Sequence, residues 1–168
     1  MPLVKTAAII LKSRRWGEAD RIVTFYSKKF GKIRGVARGA RRFKSPFGAT
    51  LEPFTSCHLD LFEKPGDSLY RISHVDLIES FQPLREELVL MACAARMVNV
   101  VGAVTPDGDP DPRLFETLGQ GLGSLKNSRD PVLTALLFQI RLLGLSGFRP
   151  HTDHCATCGK TGVTGDPQ

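Results

Sequence analysis

The chain of 168 residues is 42% hydrophobic and 24% charged, a globular composition that argues against wholesale disorder and leaves room for one domain or two small ones. Its net charge of +6 is unevenly placed. Residues 1–50 hold thirteen Lys or Arg against Glu18 and Asp20, a balance of +11, so the remainder carries −5. This asymmetry predicts a basic half that faces a polyanion, joined to a near-neutral or acidic half.

No run of residues predicts a membrane segment or a signal peptide. An uncharged stretch such as residues 131–140 falls short of the ~18 apolar residues that a bilayer requires. At the amino terminus the apolar run 7–11 is followed by Lys12, Arg14 and Arg15, which reverses the order of a signal peptide. We therefore expect a cytoplasmic protein without a membrane partner.

The first eighty residues are typical of short strands. Gly31, in the stretch "KKFGK", is placed for a tight hairpin turn, and a Pro-Gly pair breaks the chain later. Strands are predicted at residues 3–12, 21–26, 33–37, 57–62 and 69–78. Five strands in this length predict an α+β chain that begins with a partly open five-stranded OB-type barrel over residues 1–80.

A helical domain is predicted over residues 81–149, because the hydrophobic period changes to about 3.6 after Phe81. The first helix spans 84–104 and stops at "TPDGDPDP". The second, 112–126, is weakened by three glycines, each costing about 0.8 to 1 kcal/mol relative to Ala. The third, 131–146, is apolar nearly all round, so we expect it to be buried on every side.

The segment "KKFGKIRGVARGARRFK", residues 28–44, holds eight Lys or Arg among seventeen residues and no acid. A solvated loop is the ordinary interpretation of such a run, but a stripe of cations on a strand and loop also follows a phosphate backbone, with steep salt dependence. The predicted DNA-binding residues are Lys28, Lys32, Arg34, Arg38, Arg41, Arg42 and Lys44. Neighbouring aromatics are expected mostly in the core, with one or two of Phe25, Tyr26, Phe30 and Phe43 contacting bases.

The glycines at positions 31, 35 and 39 do not form a phosphate loop, because the G-x-x-x-x-G-K-[ST] pattern is absent. A lipid-facing helix is excluded by the basic residues among them. Close approach of one backbone to another in a coiled barrel strand explains them better.

An enzymatic function is disfavoured. Glu18 and Asp20 could hold Mg²⁺ for phosphodiester cleavage, but such a site needs a further carboxylate, and loop capping or pairing with Arg21 is the favoured role. His58 and His74 occupy alternating strand positions without a nucleophile and base arranged around them.

Residues 150–168 contain one half of a zinc-ribbon motif. Cys155 and Cys158 form a C-x-x-C followed by Gly, a pattern that in a cytosolic chain indicates metal binding more than a disulfide. A structural zinc site needs four ligands, and His151 or His154 could supply one at a geometric cost. We expect zinc binding at an incomplete site, and a thioredoxin-like role is less favoured because no βαβ pattern surrounds the pair.

The stretch "WGEADRIVTFYSKKFGKIRGVARGARRFKSPFGATLEPF" closely resembles the amino-terminal OB domain of the bacterial RecO family. Members of that family carry G-E-x-D, then G-K-x-x-G-x-A-x-G-x-R, then an L-E-P-F-like run. The later helices and "GFRPHTDHCATCG" are similar to the family's helical domain and the start of its zinc knuckle. The second C-x-x-C and further helices of the family have no counterpart here, so the chain is expected to be truncated.

The resemblance implies a non-enzymatic, cytoplasmic and nucleoid-associated protein of DNA repair and homologous recombination. Such a protein binds single- and double-stranded DNA, anneals complementary strands, works with RecR, contacts the tail of single-strand binding protein and helps load RecA. The residues that match the family's motif most directly are Lys32, Arg34, Arg38, Arg41 and Arg42. The alternative is an OB-type RNA-binding or translation-associated module that uses the same stripe on structured RNA.

Overall fold

The amino-terminal half of the chain forms a closed β-barrel. The computed structural model describes residues 2–63, 69–148, 154–155, 157–159 and 161. The strands are β1 (Leu3–Trp16), β2 (Asp20–Ser27), β3 (Gly31–Ala37), β4 (Ser56–Phe62) and β5 (Leu69–Glu79). They close in the order β1-β2-β3-β5-β4, with every pair antiparallel except β3 with β5. The OB-type barrel is confirmed, but it is closed where a partly open one was predicted.

Strand β1 is longer than its apolar pattern predicts. It continues past Lys12 to Trp16, where it pairs with Asp20 of β2 across a hairpin whose turn contains Gly17 at φ +57°. A register shift between Ile10 and Lys12 bends the strand, which allows it to wrap the barrel. The extension consists of Ser13, two arginines and Trp16, so hydrophobic alternation could not reveal it.

Four helices follow the barrel: α1 (Pro83–Glu86), α2 (Leu88–Val104), α3 (Pro112–Lys126) and α4 (Pro131–Leu145). The predicted first helix is interrupted because Glu87 adopts an extended conformation, with φ −113° and ψ 130°. The side chains of Asp111 and Asp130 cap α3 and α4 by accepting hydrogen bonds from the backbone N–H groups of Arg113 and Leu133. None of the helices in the described ranges is long and apolar enough to cross a membrane.

Strand β1 is buried on both faces between residues 8 and 11, which joins the barrel to the helices. Ala8 and Ile10 point into the barrel core, whereas Ile9 and Leu11 belong to a second core that the helices complete. Tyr26 of β2 lies in the same second core. The helices therefore pack on the outer face of β1 and β2, and this packing determines which basic side chains face a helix and which face solvent.

Three glycines lower the helix propensity of α3, but one of them is needed for close packing with the neighbouring helices. A Cβ atom on Gly121 would lie 2.7 Å from both Met97 Cε and Phe138 Cδ2, so glycine allows α2 and α4 to approach α3 closely. A Cβ on Gly123 would meet no atom within 4 Å. Tertiary packing thus outweighs the low intrinsic helix propensity of this segment.

The expectation that the third predicted helix is buried on every side is wrong. One face of α4 buries Ala135, Phe138 and Leu142 against the other helices. The opposite face exposes about half of each large apolar side chain, at Val132, Leu133, Leu136, Leu137 and Ile140. The reason is that α2 and α3 both lie on the same side of α4 in the described part of the chain.

Candidate nucleic-acid interface

The basic segment divides into two parts with different surroundings. We call Lys28, Lys32 and Arg34 the junction group, because each forms an ion pair with an acidic residue of the helical part. Lys28 Nζ lies 3.1 Å from Glu116 Oε1, and Arg34 Nη2 lies 3.3 Å from Asp107 Oδ2. The cations of the junction group are thus partly neutralised by acids from α3 and from the loop between α2 and α3.

Lys32 is the most strongly engaged member of the junction group. Its ammonium donates to Gly102 O at 2.8 Å and to Thr105 O at 2.6 Å, at the carboxyl end of α2. It also lies 3.2 Å from Asp107 Oδ1, and its side chain is only 17% exposed. Two of its N–H donors are thus used by carbonyls, and the ammonium lies where the helix dipole favours a positive charge. Lys32 fastens β3 to the end of α2.

The glycine that precedes Lys32 permits this junction to close. Gly31 has φ +65°, and a Cβ atom there would lie 2.2 Å from Asp109 O. The hydroxyl of Tyr26 accepts a hydrogen bond from Asp111 N at 3.0 Å, and burial is the main cause that raises the pKa of this phenol. The close approach expected at these glycines is found at Gly31, where the partner is the loop between α2 and α3. It is also found at Gly35 of β3, where a Cβ atom would lie 3.3 Å from the backbone oxygen of Tyr70 in the neighbouring strand β5.

The second part of the basic segment follows β3 and lies on the tip of the β1–β2 hairpin. Gly39 N donates to Asp20 Oδ1 at 2.8 Å, and Arg41 N donates to Ala19 O at 2.9 Å. The Arg41 guanidinium also donates to Glu18 O at 2.8 Å. Backbone and side-chain hydrogen bonds thus hold this segment against the hairpin, so that both present their charges at the same end of the barrel.

Most cations at this end have no protein partner. The side chains of Arg38, Arg42 and Lys44 are exposed and form no hydrogen bond or ion pair with any described residue. Arg14 and Arg15, at the end of β1, are likewise exposed and unpaired within the described ranges. We call these residues, with the other exposed residues around them, the tip surface: Arg14, Arg15, Trp16, Arg38, Arg41, Arg42, Phe43 and Lys44.

Sequence reasoning missed Arg14, Arg15 and Trp16 as members of this surface. The available signal was the stretch "SRRWG", two arginines and the only tryptophan directly before a hairpin glycine. The apolar pattern of β1 predicts an end at Lys12, which would place these three residues in a connecting loop. Their position beside Arg41 depends on the long hairpin and is not encoded in local spacing.

The aromatic residues near the basic segment separate clearly by exposure. Phe25 and Tyr26 are buried, as expected. Phe30 is half-buried and its ring lies 6.3 Å from that of Tyr70. Phe43 is exposed over its whole side chain, at 102%, and Trp16 is 53% exposed. Only the last two are available to a ligand at the tip surface.

Of the two acidic residues of the hairpin, Asp20 has a structural role. Asp20 caps the segment after β3 through Gly39 N, which is the favoured alternative from the sequence, while Arg21 pairs with Glu52 at 2.9 Å. Within the described residues, no group of three or more His, Cys, Asp or Glu could hold a metal ion. Among the residues that the structure describes, the two acids of the hairpin are thus not joined by the third ligand that a magnesium site requires.

Cys155 and Cys158 lie on an exposed turn. Gly159, at φ +71°, donates its N–H to Cys155 O at 2.9 Å, and His154 bridges to Thr161 across the turn. Hydrogen bonds from the backbone N–H groups of Cys158 and then Thr157 lower the pKa of the Cys155 thiol. This environment favours a thiolate, the form that binds zinc. The other suggested ligand, His151, lies outside the described residues.

Comparison with known proteins gives matches along nearly the whole chain. The family descriptions "Recombination protein O N terminal" and "Recombination protein O C terminal" match residues 1–81 and 85–166. The DNA repair protein RecO of Alkaliphilus metalliredigens is 37% identical over 160 residues, covering 95% of this chain and 64% of that protein. RecO of Syntrophobacter fumaroxidans is 38% identical over 161 residues, covering 96% and 64%. The chain thus spans just under two thirds of the length of these relatives.

Proposed function

Because the chain belongs to the RecO family of DNA repair proteins, we propose that it is a recombination mediator that binds single- and double-stranded DNA through the tip surface. One observation carries the proposal: cations without a partner among the described residues are concentrated at the end of the barrel where the hairpin and the segment after β3 meet. A phosphate backbone can pair with such side chains without breaking an existing ion pair. Affinity then comes from counterion release and carries no base specificity.

The seven basic residues predicted from the sequence contribute unequally in this proposal. Arg38, Arg42 and Lys44 would bind phosphates directly, and Arg41 would do so while remaining bonded to the hairpin. Lys28 and Arg34 would contribute at the edge, since exposed ion pairs are worth about 0 to 1 kcal/mol and exchange readily for a phosphate. Lys32 would act indirectly, by holding β3 against α2.

Strand annealing fits a surface of this kind. Two complementary strands repel each other through their phosphates, and a dense cluster of arginines reduces that repulsion without sequestering base edges. In the wider pathway we propose the family's partners: RecR, the tail of single-strand binding protein and, indirectly, RecA. The role is non-catalytic and belongs in the cytoplasm, at the nucleoid.

A groove between the barrel and α2 supports the proposed contact with the tail of single-strand binding protein. The groove has a volume of about 480 Å³, and Phe54, Leu88 and Met91 contribute to its apolar lining. Lys12, Arg85 and the acidic Glu52 also line it, and the two cations could attract acidic groups. A short peptide that combines acidic and apolar residues would match both features.

The function is tested by reversing charge on the tip surface. The triple variant Arg38→Glu, Arg41→Glu and Arg42→Glu is expected to lower affinity for every DNA sequence, measured by fluorescence anisotropy across a salt series. For single strands, loss of three phosphate contacts should reduce the slope of log K against log salt by about 2. Annealing of complementary oligonucleotides should fall in parallel.

A matched control makes the same charge change elsewhere, with Arg71→Glu, Arg129→Glu and Arg141→Glu, three exposed residues outside the tip surface. It should retain most of the affinity and the original salt slope. Equal losses in both variants would show that net charge, and not the tip surface, drives binding. Tighter binding of structured RNA than of DNA would favour the alternative function.

For zinc, we propose weak binding at Cys155 and Cys158. The lowered pKa of Cys155 suits a zinc ligand, but two thiolates supply half of a tetrahedral site. His154 and His151 are the candidates for a third ligand within the chain. Metal analysis after gel filtration should give well under one zinc per chain, and Cys155→Ser should remove what remains. One tightly held zinc per chain would contradict this.

A further inference from the structure

Two exposed aromatic side chains lie among the cations of the tip surface. Phe43 is flanked in sequence by Arg42 and Lys44 and exposes its entire side chain, although burial of a Phe side chain ordinarily stabilises a fold. Trp16, the only tryptophan of the chain, is 53% exposed at the end of β1. Scattered apolar side chains on a surface need no explanation, but two aromatics beside unpaired arginines form a defined pattern.

Hydrogen bonds bring the two aromatics to the same surface. Trp16 pairs across the hairpin with Asp20, whose carboxylate accepts the N–H of Gly39. Arg41, two residues before Phe43, donates to Ala19 O and Glu18 O in the turn that follows Trp16. The segment that carries Phe43 is thereby anchored to the hairpin that carries Trp16, and arginines lie between the two aromatics along the chain.

We propose that Trp16 and Phe43 are base-stacking residues, and that they make the tip surface prefer single-stranded DNA over duplex. The inference rests on the proposed function and adds the form of DNA that this site selects. The arginines bind phosphates, which both forms of DNA present. The two rings bind base faces, which only an unpaired strand presents because the bases of a duplex are already stacked on each other.

The chemistry accounts for selectivity without sequence specificity. Every base has a π face, so stacking on an aromatic ring tolerates any sequence, and removal of one ring typically lowers affinity by about fivefold to a hundredfold. The arginines add cation–π contacts with the same bases. DNA is favoured over RNA as the ligand because the relatives that match this chain are DNA repair proteins.

The single tryptophan provides a direct measurement. Oligo(dT) should quench Trp16 fluorescence on binding, because a stacked base quenches an indole. Two ligands with the same phosphates but no accessible base faces serve as controls: a duplex of equal charge, and an abasic oligonucleotide. Both should bind through the arginines with little quenching. Quenching by the duplex or the abasic strand equal to that by oligo(dT) would overturn the proposal.

Variants separate stacking from charge and from folding. Phe43→Ala and its apolar control Phe43→Leu should both lose single-strand affinity by about fivefold or more, whereas Phe43→Tyr should retain it. Duplex affinity and the salt slope should stay within twofold of the wild type, since no charge is removed. In Trp16→Phe with Phe43→Trp, the relocated tryptophan should also be quenched by oligo(dT).

The outcomes distinguish this inference from the proposed function. If Phe43→Ala binds single strands as tightly as the wild type, or loses affinity for duplex equally, the stacking role is wrong while DNA binding stands. If the wild-type chain binds neither form of DNA, the proposed function itself fails. Stronger quenching by oligo(U) than by oligo(dT) would overturn the assignment to DNA.

Discussion

Lys32 differs from the other lysines and arginines of its motif because of what surrounds its ammonium group. The ammonium donates to two carbonyls at the end of α2 and forms an ion pair with Asp107, and most of the side chain is out of solvent. A lysine so enclosed contributes to folding, whereas Lys44, exposed and unpaired among the described residues, is available to a ligand. Two basic residues of one segment therefore have separable roles.

Replacing Lys32 by Ala should lower the free energy of unfolding by about 1 to 3 kcal/mol, because it removes a charged donor from two partly buried carbonyls. Urea denaturation followed by circular dichroism measures the change. Lys44→Ala, the matched control, should leave stability within about 0.5 kcal/mol and reduce DNA affinity instead. If Lys32→Ala keeps wild-type stability but loses DNA affinity as Lys44→Ala does, then Lys32 binds DNA directly and does not stabilise the fold.

At the scale of elements, helix α3 shows how packing overrides propensity. Gly121 and Gly123 carry the same intrinsic cost in a helix, yet only Gly121 lies where a methyl group would meet Met97 and Phe138. The hairpin between β1 and β2 illustrates the same principle for a surface, since its length and its bonds to Gly39 and Arg41 decide which cations share the tip.

The two glycines give a paired prediction. Gly123→Ala should stabilise the protein by up to about 1 kcal/mol, because the methyl group has open space and alanine favours the helix. Gly121→Ala should destabilise it by about 1 to 3 kcal/mol, since the neighbouring side chains must move. Urea denaturation gives the free energy of unfolding of both variants. Equal changes in the two variants would mean that α3 packs less closely than the 2.7 Å contacts indicate.

At the scale of the whole molecule, the barrel and the helices share a hydrophobic core. The side chains of Ile9, Leu11 and Tyr26 lie on the outer face of the barrel and pack among residues of the helices. Lys32 and Gly31 reinforce the same contact through the end of α2 and the loop that follows it. The barrel and the helices are thus expected to depend on each other for stability.

Unfolding should accordingly be a single transition. Trp16 fluorescence, which reports on the β1–β2 hairpin, and circular dichroism at 222 nm, which reports on the helices, should give the same urea midpoint. Ile9→Ala, which creates a cavity in the shared core, should lower both urea midpoints together. The free energy of unfolding should fall by about 2 to 5 kcal/mol. Ile78→Ala, at an exposed position of β5, is the control and should change little. Two separate midpoints would show that the barrel and the helices fold independently.

Local patterns located the elements and the basic segment, but not the end of β1 or the break between α1 and α2. Alternating apolar residues located the five strands, the 3.6-residue period located the helices, and charge density singled out residues 28–44. The acidic caps of α3 and α4 and the capping role of Asp20 also follow from chemistry within a few residues. These features can be predicted from the sequence because residues that are close along the chain cause them.

No local pattern predicts which cations of the basic segment pair with the helical part and which are exposed. Lys32 and Arg38 stand six residues apart in one motif, but the partners of Lys32 are seventy or more residues away, at the end of α2. The exposed side of α4 and the bonds that join the segment of Phe43 to the hairpin of Trp16 likewise depend on which surfaces pack together. Charge and hydrophobicity are properties of a residue, whereas pairing, burial and exposure are properties of the neighbours that folding brings to it.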